Sequence, residues 1–326
     1  MSELTPSAMH WLASHHGVIT TKRLREEDVG RKTQLRLLAR GVLRPVHKGV
    51  FTVASTPPTL EQRCVALAAA HPAGFVTGPT AGAMLGLRRM PASSAIHFSI
   101  RHGAKVSPVT GVRFRQTTSL HPSDRRVTDD GVTVASWARL AFDLAADLRP
   151  LDHLSVLHQL LHDDRLAAGD LVAIGRRLQH RNRRGSITFM RNLHQLDNIP
   201  FESHAEVVVA DALRRRGVPV EGQTRLQRLP DGRTVRIDLA VPAIRWGVEL
   251  DIHPEHSTLD GAARDARRLR QVHMVGWQVE RVTALELDDV EGLVEELAAL
   301  YHLRRRAVTV AGPRVCVPAG VQQTLG

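Results

Sequence analysis

Between Arg236 and His256 the chain reads RIDLAVPAIRWGVELDIHPEH, two strand-length apolar runs on either side of Pro242. Each run carries carboxylates where a buried strand is ordinarily apolar. Successive side chains of an extended strand point to opposite faces, so Glu249 and Asp251 share one face and Val248 and Leu250 the other. Asp238 sits inside IDLAV in the same way. Collecting like charges in a sheet costs on the order of several kcal/mol per unpaired buried ion. Such a sequence therefore folds only if something positive enters among the acids. One candidate is a divalent cation held by Asp238 and Glu249, with Asp251 beside it or within reach of one of its waters. The other is pairing with Arg236 or Arg245. Three acids in two short strands favour the ion.

The flanks complete an α/β pattern. FESHAEVVVADALRRRG is an amphipathic helix stopped by Gly217, DGAARDARRLRQVHMVG a second helix, and WQVERVTALEL a returning strand. A hard cation such as Mg2+ or Mn2+ among these carboxylates would neutralise phosphate oxygens and lower the pKa of an attacking water, the two requirements of phosphodiester hydrolysis. Glu206 has two readings that do not exclude each other. It follows Ser203 by three residues, a capping box, and it is also placed for a metal-linked role. His253 and His256 have zinc-like spacing, but no cysteine lies near them and Pro254 separates them. They read as loop residues able to act as a general base or a phosphate contact.

Five motifs in order carry a resemblance: Ser203-His204-Ala205-Glu206, Asp238-Leu239-Ala240, Val248-Glu249-Leu250-Asp251, Arg264-Asp265-Ala266-Arg267-Arg268, and Gly276-Trp277 through Thr283. This stretch resembles the restriction-endonuclease-like PD-(D/E)xK superfamily, and within it the very-short-patch-repair-like branch. The resemblance implies a metal-dependent endonuclease with Glu206, Asp238, Glu249, Asp251, His253 and His256 at its catalytic site. One departure is plain: the lysine of the motif is replaced in Glu249-Leu250-Asp251, and no lysine follows Lys105. The branch resembled also lacks that lysine, so activation of the nucleophile is left to His253, His256 or Gln223. Arg264 and Arg268 are expected on an outer helix face, pairing with neighbours of Asp265 or contacting phosphate.

The first 57 residues read as three short helices, TPSAMHWLASHHG, TTKRLREEDVG and RKTQLRLLARG, with Gly17, Gly30 and Gly41 as their stops, and then a hairpin, VLRPVHKGVFTVAS. Three helices and a basic hairpin make a winged helix, whose third helix enters a DNA groove while the wing touches the flanking backbone. On the third helix, Leu35, Leu38 and Ala39 can face the core while Arg31, Lys32, Gln34, Arg36 and Arg40 stay outside; Arg44, His47 and Lys48 belong to the wing. Arginine and glutamine read guanine and adenine edges in pairs. The bland alternative is a solvated charged helix.

From residue 58 to about 180 the pattern is mixed α/β. FVTGPTAGAMLGL and GVTVASWARLAFDLA, together with the preceding three helices, resemble the AbiEi family of type IV antitoxins over roughly residues 5–175, which implies DNA binding and autoregulation and no catalysis. Gly78, Thr80, Ala81 and Gly86 read as close-packing residues, since the GK[ST] ending of a phosphate loop is missing. RRLQHRNRRGS, 176–186, carries five arginines and no acid; it reads equally as a solvated connector or as a track for a phosphate backbone.

The charge balance agrees with a polyanionic partner. The 326 residues carry a net charge of +11, almost all of it arginine, and a basic surface stabilises a bound phosphate backbone. No apolar run reaches the roughly 20 residues of a membrane-spanning helix. MSELTPSAMH lacks the features of a signal peptide, and Cys64 and Cys316 form no CxxC pair. The expectation is a cytoplasmic, multidomain α/β protein that binds DNA and no membrane: winged helix 1–57, middle α/β domain 58–180, restriction-endonuclease-like domain 181–303 and basic tail 304–326. A homodimer is compatible with the sequence. The alternative to a nuclease is a non-catalytic DNA-binding antitoxin or repressor. Charge alone also leaves open an RNase or a structural nucleoid protein.

Overall fold

A computed structural model describes residues 4–196, 201–227, 229–251 and 259–311, with backbone alone for 259–265 and 311. The chain is mixed α/β and divides into two compact units, Met1–Leu196 and Asp197–Gly326, a coarser division than the four segments expected from the sequence. Among the described residues no helix is long and apolar enough to cross a membrane.

The first unit begins with α1 (Pro6–Ser14), β1 (Val18–Thr20), α2 (Thr21–Glu26), α3 (Arg31–Ala39), β2 (Leu43–His47) and β3 (Val50–Val53). Thr5 and Thr20 cap the first two helices through their hydroxyls, each accepting a backbone N–H of the first turn at 3.0 Å. Gly17 and Gly41 adopt φ of +74° and +68° at the ends of α1 and α3, the left-handed stop read from the sequence. Gly30 differs. It is the residue before the first turn of α3, with φ −64° and ψ 163°, so it starts a helix rather than ending one. β1, β3 and β2 form a three-stranded antiparallel sheet in that order, and Leu12, Ile19, Leu24, Leu37 and Leu43 are buried between helices and sheet.

The same unit continues with α4 (Leu60–Ala70), β4 (Phe75–Val76), α5 (Gly78–Met84), β5 (Ile96–Arg101), β6 (Val112–Thr117), β7 (Arg125–Val127), β8 (Thr133–Ala135), α6 (Trp137–Leu144), α7 (Pro150–His162), α8 (Ala168–Leu178) and α9 (Ser186–His194). Its sheet runs β6–β5–β4–β8–β7, with β5/β6 and β4/β8 parallel. Phe75, Phe98, Phe142 and Phe189 lie in its core. Gly78 has φ +58°, and a Cβ there would stand 2.8 Å from His97 Nδ1, so glycine is needed for close approach, as its neighbours suggest. Cys64 is fully buried, which pushes its thiol up to about 12. The arginine-rich stretch 176–186 is partly structural: α8 runs to Leu178, and Arg177 pairs with Asp124, only 1% of whose surface is exposed.

The second unit contains α10 (His204–Arg215), β9 (Glu221–Leu226), β10 (Val235–Val241), β11 (Trp246–Asp251), α11 (Leu259–Met274), β12 (Gln278–Thr283) and α12 (Val290–Ala311). The order helix, strands, helix, strand follows the hydrophobic periodicities, with the addition of β9. The sheet runs β12–β11–β10–β9. β10 and β11 are antiparallel across the Pro242 turn, and β11 and β12 are parallel, joined by the crossover that contains α11. Gly247 lets β10 and β11 close together, since a Cβ would meet Ile237 Cγ2 at 2.7 Å. Trp246 is fully buried against the ring of Tyr301 on α12, 5.7 Å between centroids.

Candidate nucleic-acid interface and acidic cleft

On α3 the solvent side carries Arg31, Lys32, Arg36 and Arg40, and the hairpin exposes Arg44 and Lys48, with His47 half-buried. Burial lowers the His47 pKa, and the charge of His71 acts in the same direction. The expected register of this helix is corrected by the packing. Gln34 is 7% exposed and donates from Nε2 to the Val29 carbonyl at 2.7 Å, whereas Leu35 is 58% exposed and Ala39 lies outside as well. Leu37 fills the core in their place. Gln34 is thus a structural residue rather than a reader of bases. Its amide can be buried because it satisfies a backbone carbonyl of the turn that precedes the helix.

In the second unit Asp238 and Glu249 lie next to the last residues paired between β10 and β11, Leu239 and Val248, and Glu249 is paired with Arg281 of β12. The Leu250 N–H donates to Asp238 Oδ2 at 2.9 Å. The alternation along β11 holds: Val248 and Leu250 are buried, while Glu249 and Asp251, with side chains 12% and 27% exposed, line the cleft. Glu206, on the first turn of α10, closes a capping box. Its Oε1 accepts the Ser203 N–H at 3.0 Å and its own N–H donates to Ser203 Oγ at 3.1 Å. Its Oε2 accepts the Glu202 N–H at 3.2 Å and Gln223 Nε2 at 2.6 Å. Gln223, 2% exposed and at φ +54° in β9, is therefore a partner of Glu206.

Burial pushes the carboxyls of Glu206, Asp238 and Glu249 above the ordinary range. The charge of Asp238 acts in the same direction on Glu206 and Glu249, as Glu202 does on Asp238. Hydrogen bonds and arginines oppose the shift without cancelling it. The protonated form is therefore favoured in the folded state, so stability falls as pH rises from the ordinary values of 3.8 and 4.5 and levels off above the raised folded-state pKa values. Asp238→Asn is expected to flatten this slope in a denaturation series across that window; a series superimposable on wild type would contradict the shift.

The positive group among the acids is Arg268 of α11. Its guanidinium grips both oxygens of Glu249, at 2.7 and 2.9 Å, and its Nη2 donates to the Arg236 carbonyl at 3.1 Å. Arg268 thus reaches into the cleft, a correction to its expected place on an outer helix face. Leu269 and Val272 mark the inward side of α11, and residue 268 lies one turn before 272 on the shoulder of that side, a helical spacing already legible in the chain. The arginines named as partners from sequence are engaged elsewhere: Arg236 forks onto Glu202, with one arm at 2.7 Å, and Arg245 donates to the Val275 carbonyl at 3.2 Å. Asp251 faces Arg281 at 3.5 Å.

Asp238, Glu249 and Asp251 line a cleft of about 670 Å³ together with Asp231 and six arginines, Arg225, Arg233, Arg236, Arg267, Arg268 and Arg281; Glu206 is not part of its lining. The surplus of guanidinium groups suits a phosphate-bearing ligand. As placed, the described residues do not fit a divalent ion. Both oxygens of Glu249 are taken by Arg268 and both of Glu206 by amide donors, and among the described residues no group of three or more histidine, cysteine or acidic side chains is arranged to hold a metal. His253 and His256 lie outside the described residues.

No protein-family model matches the chain, and no curated protein matches it. Among solved structures the chain is similar to the RV2827C protein from Mycobacterium tuberculosis, at 18% identity and a TM-score of 0.35, over 57% of this chain and 74% of that one. A likeness of that size carries no inference about function.

Proposed function

We propose that this is a DNA-binding protein in which residues 4–53 act as a winged helix and the cleft of the second unit, in a restriction-endonuclease-like fold, receives a phosphodiester backbone. The observation that carries the reading is the six-arginine cleft, in which Arg268 already holds a carboxylate with both arms, the geometry with which guanidinium grips a phosphate. The basic outer side of α3 supports the first half of the reading. Changing Arg31, Arg36 and Arg40 together to Ala is expected to weaken binding to duplex DNA on the order of tenfold or more and to reduce its salt dependence. Unchanged affinity in a gel shift would remove α3 from the interface.

A second reading, a magnesium- or manganese-dependent endonuclease, is favoured by one observation: Glu206, Asp238 and Glu249 gather although burial and mutual repulsion oppose their ionisation. Such clusters mark functional sites. This reading requires Arg268 to leave Glu249. Supercoiled plasmid incubated with Mg2+ or Mn2+ separates the two. Nicking by wild type that disappears in Asp238→Ala establishes the nuclease. No nicking by wild type at any ion concentration leaves the cleft a binding module of an antitoxin- or repressor-like regulator.

A further inference from the structure

The first unit contains a second cleft, of about 720 Å³, between β6, the C-terminal end of α6 and the chain following α8. Its floor is an ion network. Arg139, 2% exposed, donates from Nε to Asp143 and from Nη1 to Asp124, each at 3.0 Å; Arg177 also pairs with Asp124, and Arg115 donates to Asp147 at 2.7 Å. Three guanidinium groups are thereby matched by three carboxylates, which accounts for them as structure. Arg113, Arg183 and Arg184 line the same cleft, and among the described residues none of the three has a carboxylate partner. Arg183 and Arg184 donate only to the carbonyls of Leu178 and Ala146, at 2.7 and 3.5 Å.

The loop that carries them is held close to α6. Gly185 has φ +82°, and a Cβ there would stand 2.6 Å from the Ala146 nitrogen, so the chain passes where no side chain fits. Burial, reinforced by the charges of Arg139 and Arg177 and opposed by those of Asp143 and Asp124, pulls the Arg183 guanidinium below its ordinary pKa. An anion seated there would offset the repulsion from Arg139 and Arg177.

We infer that this cleft is a binding site for a small polyphosphate ligand of nucleotide size, its phosphoryl groups held by Arg113, Arg183 and Arg184. The volume lies within the roughly 300–1,000 Å³ of small-molecule sites. The three unmatched positive charges equal the roughly three negative charges of a nucleoside diphosphate and approach the roughly four of a triphosphate, and the guanidinium forks suit the phosphoryl oxygens. Gln116, Thr118 and Asn182 add neutral hydrogen-bonding groups to the lining of the same cleft. The inference is independent of the proposed function, since its side chains belong neither to residues 4–53 nor to the cleft of the second unit.

The test is titration calorimetry on the full chain with ATP, inorganic tripolyphosphate and a short DNA duplex as separate probes. Arg183→Ala combined with Arg184→Ala is expected to weaken ATP and tripolyphosphate about a hundredfold, since two charge-assisted contacts are lost together, and to leave duplex affinity within about twofold. A thermal melt matching wild type shows that the variant is folded; Arg113→Ala, remote in sequence from that loop, provides a second variant with an expected loss of about tenfold, since one such contact is lost. Three results would overturn the inference: neither ATP nor tripolyphosphate binds wild type, both bind the variants as tightly as wild type, or the variants lose the duplex alone, in which case the cleft serves a nucleic-acid backbone.

Discussion

Arg139→Met is expected to lower the stability of the first unit by about 3 kcal/mol, the low end of the roughly 3–5 kcal/mol for removing one partner of a buried ion pair. Methionine refills the volume, so the loss is electrostatic. Asp143, 4% exposed, would keep the Thr77 hydroxyl at 2.6 Å and Arg115 Nη1 at 3.8 Å but lose the Arg139 guanidinium, and Asp124 would keep Arg177. The retained partners set the lower figure. For a unit of this size the shift in melting temperature is about 10 °C. Arg139→Met with Asp143→Asn should recover part of the loss, because the amide no longer leaves a buried charge. A double mutant no more stable than the single would show that the pair is not the source. The prediction reaches the second cleft as well, since Arg139 anchors the floor on which the unmatched arginines stand.

Arg268→Ala is expected to act in two opposed ways. Without divalent ions it takes from Glu249 its paired guanidinium, leaving only the weaker influence of Arg281, and should cost about 2 kcal/mol, less than a fully buried pair because the Arg268 side chain is 37% exposed and partly screened. It also frees both oxygens of Glu249. If the carboxylates can take an ion once the guanidinium is gone, millimolar Mn2+ should restore stability to the variant more than to wild type, since any ligand of the folded state stabilises it. Thermal melts with and without Mn2+ read this directly. Equal response of the two proteins would show that the described acids hold no ion even when unblocked, and would leave phosphodiester binding as the sole reading of the cleft. Asp238→Ala in the Arg268→Ala background provides the control, because it removes a carboxylate from the cluster.

Much of the local structure was legible in the chain because it is written in short-range terms. Thr5, Thr20 and Ser203 cap helices, Gly17 and Gly41 stop them, and the alternation of Val248, Glu249, Leu250 and Asp251 sets the two faces of a strand. The carboxylate cluster was legible for the same reason, since acids inside apolar runs stand out. The partner of each acid was not. Arg236 and Arg245 are nearest in sequence, yet Glu249 is held by Arg268, nineteen positions along the chain. Gln34 was misplaced for a related reason: several faces of a short helix rich in leucine and arginine satisfy its periodicity, and the turn at Val29 selects one. The buried network of Arg139 with Asp124 and Asp143 had a visible trace, an arginine and an aspartate four apart in the apolar helix WARLAFDL, which marks a pair even before its third member is known.

The sequence by itself determined that acids would enter the sheet of the second unit, that basic side chains would line the outer side of α3, and where the helices of the first 57 residues and the helix–strand–strand–helix–strand core of the second unit lie. These follow from caps, stops and periodicities spanning a few residues. Only the tertiary structure decided which cation answers Glu249, which of the first unit's arginines are consumed by carboxylates, and which remain over a cleft. Those choices depend on how packed elements are turned toward one another, and an ion pair between two elements is selected by that orientation and not by proximity along the chain.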